Sequence, residues 1–96
     1  MSTILSAAAI EAHLQGQSAW SLKEGALVRR DQTKDFRAAL AWVNRVGMLA
    51  EEHNHHPDFH LTGWNWVELR IWSHDVGGIT QRDLEMATRI SALASF

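Results

Sequence analysis

The clearest periodicity in the chain lies between Trp66 and His74, where Val67, Leu69, Ile71 and Ser73 alternate with Trp66, Glu68, Arg70, Trp72 and His74. A period of two places the first set on one side of an extended strand and the second on the other, so one face is built for a core. A second period, of three and four, runs through Phe36, Ala39, Leu40, Val43, Val46 and Ala50 and predicts the longest helix, with Thr33 as its N-cap. That helix must end before Pro57, whose ring pushes His56 towards an extended conformation. A shorter helix is predicted over Ala7 to Gln15: Ser6 can accept from its free N–H groups, Ile10 and Leu14 share a face, and Gly16 suits the stop. Between these helices "WSLK", the turn residues Glu24 and Gly25, and "ALVRR" read as a hairpin. Phe59 and Leu61 precede a turn at Thr62 and Gly63. A final helix opens at "ITQRD" with Thr80 and Asp83 spaced as a capping box, and Leu84, Ala87, Ile90 and Ala94 form its stripe.

The order helix, two strands, helix, two strands, helix predicts an α+β domain: a four-stranded antiparallel sheet with three helices packed on one face. The other face then needs a partner or a ligand. Trp66 and Trp72 stand on it, opposite the aliphatic stripe of their strand, as a subunit interface or a pocket wall.

Composition narrows what such a domain can do. With 96 residues, 46% of them hydrophobic and 21% charged, residues 1–96 form one module with one modest core. A formal charge of -2 gives no basic footprint for nucleic acid or an anionic membrane surface. The absence of cysteine excludes disulfides and thiolate chemistry. The start "MSTILSAAAIEAHL" lacks the basic flank and continuous apolar core of a signal peptide, and no apolar run approaches the roughly 20 residues of a membrane span. The expectation is a cytoplasmic protein.

The stretch "EEHNHHPDFH" holds four of the six histidines within eight residues. Zinc is one reading, but adjacent histidines on an extended segment point to opposite sides, no cysteine is available, and the HExxH pattern is absent. Solvated residues at a helix end are another, and this suits His53 and His60. Acid–base chemistry is the third, since imidazole, with an unperturbed pKa of about 6.5, can both give and take a proton near neutrality. His74, at the end of the strongest strand, is then the natural partner for His55 and His56.

These residues also carry a resemblance. Glu51, three residues, the triplet His55, His56 and Pro57, six residues, Trp64, nine residues, His74, eight residues and Asp83 form a pattern that resembles the signature of the pterin-4a-carbinolamine dehydratases. The likeness extends over "KDFRAALAWVNRVGMLAEEHNHHPDF" and "SHDVGGITQRDLEMA". It implies the same fold, dimerising through the sheet and sometimes forming tetramers. It implies a reaction in which 4a-hydroxytetrahydropterin loses water to give quinonoid dihydropterin, recycling the cofactor of an aromatic amino acid hydroxylase, with no metal or organic cofactor. His55, His56 and His74 would be the functional histidines: His55 and His74 as the acid–base pair, in either order, and His56 as a positioning residue. Pro57, Ser73, Asp75 and Val76 would line the pterin, with Glu51 orienting a histidine or binding the pterin's polar edge. Asp83 is assigned to structure, as the capping-box residue. The resemblance leaves two rivals open, a dimerisation cofactor that binds protein through its helical face and a related pterin dehydration in molybdenum cofactor metabolism. It also has departures. Asp31 and Thr33 stand where the family usually carries aromatic residues, which questions the packing or pairing of that strand, and Ser73 stands where threonine is usual.

Overall fold

The computed structural model describes residues 3–17 and 19–94. The elements follow in the order α1 (Ala7–Leu14), β1 (Trp20–Lys23), β2 (Ala26–Gln32), α2 (Phe36–His53), β3 (Asp58–Thr62), β4 (Trp66–Ile71) and α3 (Gln81–Leu93). The four strands form one antiparallel sheet in the order β1-β2-β4-β3. The fold is therefore the α+β arrangement that the periodicities imply.

The alternation in β4 decides which side is covered. Val67, Leu69 and Ile71 are fully buried and lie across from Asp31, Arg29 and Leu27 of β2. These residues join Ile10 and Leu14 of α1, Ala39, Trp42 and Val46 of α2, and Leu84, Ala87 and Ile90 of α3 in one core. Burying an aliphatic side chain of this size contributes about 1.5–3 kcal/mol, and truncating Leu69 to Ala would cost about 2–5 kcal/mol once the cavity is included. On the opposite face Arg30 lies over the Trp66 ring at 4.0 Å and Glu68 meets Arg70 at 3.8 Å. Trp66 is thus partly covered by a cation from its own sheet rather than left bare.

Two expectations for α2 are corrected. Its N-cap is Asp35, whose Oδ1 accepts from the Ala38 N–H at 2.8 Å, not Thr33. Thr33 is buried instead, donating its hydroxyl to the Asp35 carbonyl and exchanging backbone contacts with Asn65. The buried stripe is Ala39, Trp42, Val46 and Ala50, while Phe36 and Leu40 are exposed. Ala39, Val46 and Ala50 are buried as expected and Val43 packs against the core; because the helix is apolar around more than one face, spacing included Phe36 and Leu40 and left out Trp42. In α3 the stripe ends at Ile90, since Ala94 is the half-buried C-cap beyond the helix.

The departures at Asp31 and Thr33 leave the strand intact. Pairing with β4 continues through Asp31 and Val67 to Gln32 and Trp66, and the Thr33 N–H to Asn65 carbonyl bond extends it. Asp31 takes the Nε–H of the buried Arg29 at 2.7 Å. That guanidinium also donates to Ser91 and lies 6.0 and 5.7 Å from the Trp20 and Trp42 rings. A carboxylate at position 31 therefore has its partner on the same strand, which a buried charge requires.

Candidate functional site

The histidine corner is made by the way α2 stops. Asn54 adopts the left-handed conformation (φ 48°, ψ 43°), and its N–H turns back to the carbonyls of Ala50 and Glu51. The His55 N–H also reaches the Ala50 carbonyl at 3.1 Å. Asparagine tolerates this conformation better than most residues, and the paired bonds satisfy carbonyls that a helix end would leave open. The chain then leaves sharply, Pro57 is buried, and His55 and His56 project at the exit before β3 begins.

Across the cleft, β4 runs out into a tight turn closed by a bridge between Ser73 and Gly78. The Ser73 carbonyl accepts from the N–H groups of Val76 and Gly77, and Gly77 sits at φ 70°, a region glycine occupies without steric cost. His74 and Asp75 are held at the exposed tip of this turn. An open cleft results, in which His55 and His56 from one side face Trp72, His74 and Asp75 from the other, with Asn54 and Arg82 at its edge.

The three histidines are held differently. His55 is mostly buried, and its Nε2 lies 2.6 Å from Oδ1 of Asp83, a side chain with no exposed surface. The other oxygen of Asp83 accepts from the Thr80 N–H and the Ser73 hydroxyl, each at 2.8 Å. With Asp83 acting as a carboxylate acceptor, Nε2 of His55 carries a proton, which makes Nδ1 the acceptor nitrogen of the neutral ring. His56 is exposed and meets Glu51, one helical turn back, at 2.5 Å. Among the described residues His74 has no such ion pair; its ring lies 4.2 Å from that of Trp72, tilted by 41°. Asp75 pairs with Arg82 at 2.8 Å, and this hydrogen bond is the main cause holding its carboxyl below the usual aspartate range.

The arrangement brings together His55, His56, His74 and Asp75, with Glu51 behind His56. Three residues expected to line the cleft do not reach its wall: Pro57 is buried at the exit of α2, and Ser73 and Val76 lie within the turn. Ser73 is fully buried and bonded to Thr80 and Asp83, so it supports the site from below, and Val76 is half-buried within the turn. His53 and His60 are exposed and do not line this cleft; His53, 3.4 Å from Arg89, lines an adjoining hollow that shares His55 and Arg82 with it. Asp83 is both the capping-box residue and the partner of His55. Its assignment to structure alone missed the second oxygen. Arg82 is a further neighbour that spacing gave no reason to single out. Among the described residues no three His, Cys, Asp or Glu side chains are grouped to hold a metal ion. Nor is any helix there long and apolar enough to cross a membrane.

Comparison with known proteins places this geometry among relatives. The family described as Pterin 4 alpha carbinolamine dehydratase matches residues 3–93. A protein of Thermomicrobium roseum, provisionally named a pterin-4-alpha-carbinolamine dehydratase, is 46% identical over 88 residues, covering 92% of this chain and 94% of its own length. Pterin-4-alpha-carbinolamine dehydratase 2, mitochondrial, of Arabidopsis thaliana is 39% identical over 84 residues, which are 83% of this chain and 45% of that protein. The crystal structure of a transcriptional coactivator/pterin dehydratase from Brucella melitensis superposes with a TM-score of 0.87 at 25% identity, covering 97% of this chain and all of the other.

Proposed function

Since the chain belongs to the pterin-4a-carbinolamine dehydratase family, we propose that residues 1–96 act as one unit that dehydrates a 4a-hydroxytetrahydropterin to quinonoid dihydropterin and water, with His55 and His74 exchanging the protons and His56 positioning the substrate. The observation that carries this reading is the meeting of three imidazoles across one cleft, one of them backed by a buried carboxylate.

The chemistry needs one proton given and one taken. The C4a–O bond breaks, the oxygen leaves as water after protonation, and the electron pair of the N5–H bond forms the C4a=N5 double bond as that proton is removed. His55 is the base in this scheme. Asp83 fixes its orientation and stabilises the imidazolium that forms when the free Nδ1 takes the N5 proton. His74 is the acid, and its exposure at the tip of the turn lets it regain a proton from solvent between turnovers. His56, held by Glu51, and the Asp75–Arg82 pair offer polar contacts to the pterin's amide edge.

Recycling of the cofactor of an aromatic amino acid hydroxylase, in the cytoplasm, is the setting we infer; pterin dehydration in molybdenum cofactor metabolism uses the same chemistry. The test is stopped-flow dehydration of synthetic 4a-hydroxytetrahydropterin. Acceleration well above the buffer rate is expected, and a folded protein that gives none overturns the reading.

One observation favours a second role beside catalysis. Phe36, Leu40 and Met48 of α2 are 49%, 44% and 70% exposed, a row of large apolar side chains on the helical side of the molecule. We read it as a contact surface for a second copy or a protein partner, in keeping with the coactivator half of the Brucella protein's description.

A further inference from the structure

We propose that Trp72 is the shelf against which the pterin bicycle packs, and that it makes the cleft selective for bicyclic pterin substrates. This inference rests on the pterin reading above and adds the residue that recognises the ring.

The cleft is polar almost throughout. Of the residues that line it, Asn54, His55, His56, His74, Asp75 and Arg82 are all polar or charged, and Trp72 is the single apolar one. A pterin presents two kinds of surface: an edge of amide, amino and ring nitrogen groups, and broad ring faces that gain little from hydrogen bonding. The polar residues can serve the edge. The faces need an aromatic or apolar plane, and among the described residues only Trp72 offers one of matching size at this site.

The position of Trp72 is also set before any ligand arrives. It follows Ile71, which is fully buried in β4, and the alternation of the strand turns it away from the core stripe. Its ring is half-buried, in contact with the edge of the core cluster and against His74 at 4.2 Å. On its far side it lines a second hollow with Gly25, Ala26 and Arg70. The indole is therefore a wall between two openings, held by contacts on several sides, with its exposed part turned to solvent-filled space. A ring held in this way loses little rotamer freedom on binding, so most of the stacking gain appears as affinity. Contact with His74 also places the shelf beside the proposed acid, so that a ring lying on the indole is within reach of that imidazole.

The experiment compares Trp72→Phe and Trp72→Leu with the wild type. Phe keeps a π face; Leu keeps apolar bulk without one. Binding of a stable 7,8-dihydropterin is measured by calorimetry, and KM and kcat for dehydration are measured separately. Stacking of a planar heterocycle on one aromatic side chain is worth about 5- to 100-fold in affinity. Trp72→Leu should weaken dihydropterin binding by at least about fivefold and raise KM in parallel with kcat little changed, and Trp72→Phe should recover most of the loss. In the wild type, without any substitution, the pterin side-chain protons should move upfield on binding because they enter the indole ring current. A Leu variant that binds as tightly as the wild type overturns the shelf. So does a fall in kcat with KM and Kd unchanged, which would mean that Trp72 acts only by holding His74. Failure of the wild type to bind any dihydropterin would instead remove the pterin reading and this inference with it, a result distinct from equal binding by wild type and variants.

Discussion

Replacing Asp83 by Asn tests the proposed mechanism at its most buried point. The substitution preserves shape and changes two things: one oxygen becomes an NH2 group, and the negative charge is lost. The Oδ2 position accepts from the Thr80 N–H, the Ser73 hydroxyl and, at 3.3 Å, the Thr80 hydroxyl, so it must remain an oxygen. The NH2 group is therefore forced towards His55, where Oδ1 now lies 2.6 Å from Nε2. An amide nitrogen can only donate, so Nε2 must become the acceptor and the ring proton must move to Nδ1. The nitrogen that should take the N5 proton then already carries one. The same carboxylate-to-amide change behind a catalytic imidazole lowers kcat by up to about 10⁴, and the expected loss here is about 10²- to 10⁴-fold.

Stability should change far less. The cap to Thr80 survives, and the main cost is one amide N–H left without a partner in a fully buried site, about 1–3 kcal/mol. Asp83→Ala would be a poorer test, because it also removes the cap and leaves the Thr80 N–H and the His55 Nε2 without their acceptor. Stopped-flow dehydration gives the rate, and urea unfolding gives the stability of the same preparation. A folded Asp83→Asn protein with wild-type kcat would refute the claim that Asp83 sets the tautomer of His55.

Other outcomes follow from the same geometry. His55→Ala and His74→Ala should each slow dehydration by about 10²- to 10⁴-fold, His56→Ala should chiefly raise KM, and His53→Ala, outside the histidine cleft, should be nearly silent in the same assay. The Asp75 carboxyl should titrate below the ordinary aspartate value of about 3.9 when followed by carbon NMR, and return towards it in Arg82→Gln. Because that pKa is lowered on folding, its small contribution to stability is present above the ordinary value and lost as pH falls through the folded one; a midpoint unmoved by Arg82→Gln would contradict the pairing. Asn54→Val should destabilise the protein by about 1–2 kcal/mol, read from urea unfolding, since a β-branched residue resists the left-handed conformation at the end of α2. Sedimentation at micromolar concentration should show at least a dimer, and a 10.8 kDa monomer would count against the contact surfaces inferred on the sheet and on α2.

The fold was legible wherever a period had one reading. In β4 the alternation could serve only a strand with one covered face, and the burial pattern follows it residue by residue. In α2 it could not. Phe36, Leu40 and Val43 are as apolar as Ala39, Trp42 and Val46, and spacing holds no information about which side of a helix the sheet will meet. The charged pair of Arg29 and Asp31 was hidden for a related reason. Within "ALVRRDQ" the position of Arg29 on the core side shows only once the register fixes Arg29 against Leu69.

The histidine cleft divides along the same line. Pro57 and the helix exit placed His55 and His56 together by local rules, whereas their relation to His74 and Asp83 depends on residues 18 to 28 positions away along the chain. Asp83 is the instructive case, since a capping box accounts for one carboxylate oxygen and is silent about the other. When a capping-box acid also falls at a fixed place in a histidine pattern, its second oxygen needs a partner, and a histidine of that pattern is the first residue to try. Here that partner is His55, and the bond between them makes a helix cap also the support of the proposed proton acceptor. Ser73 bonds the same carboxylate instead of facing the cleft, so its hydroxyl has a partner although the side chain is fully buried.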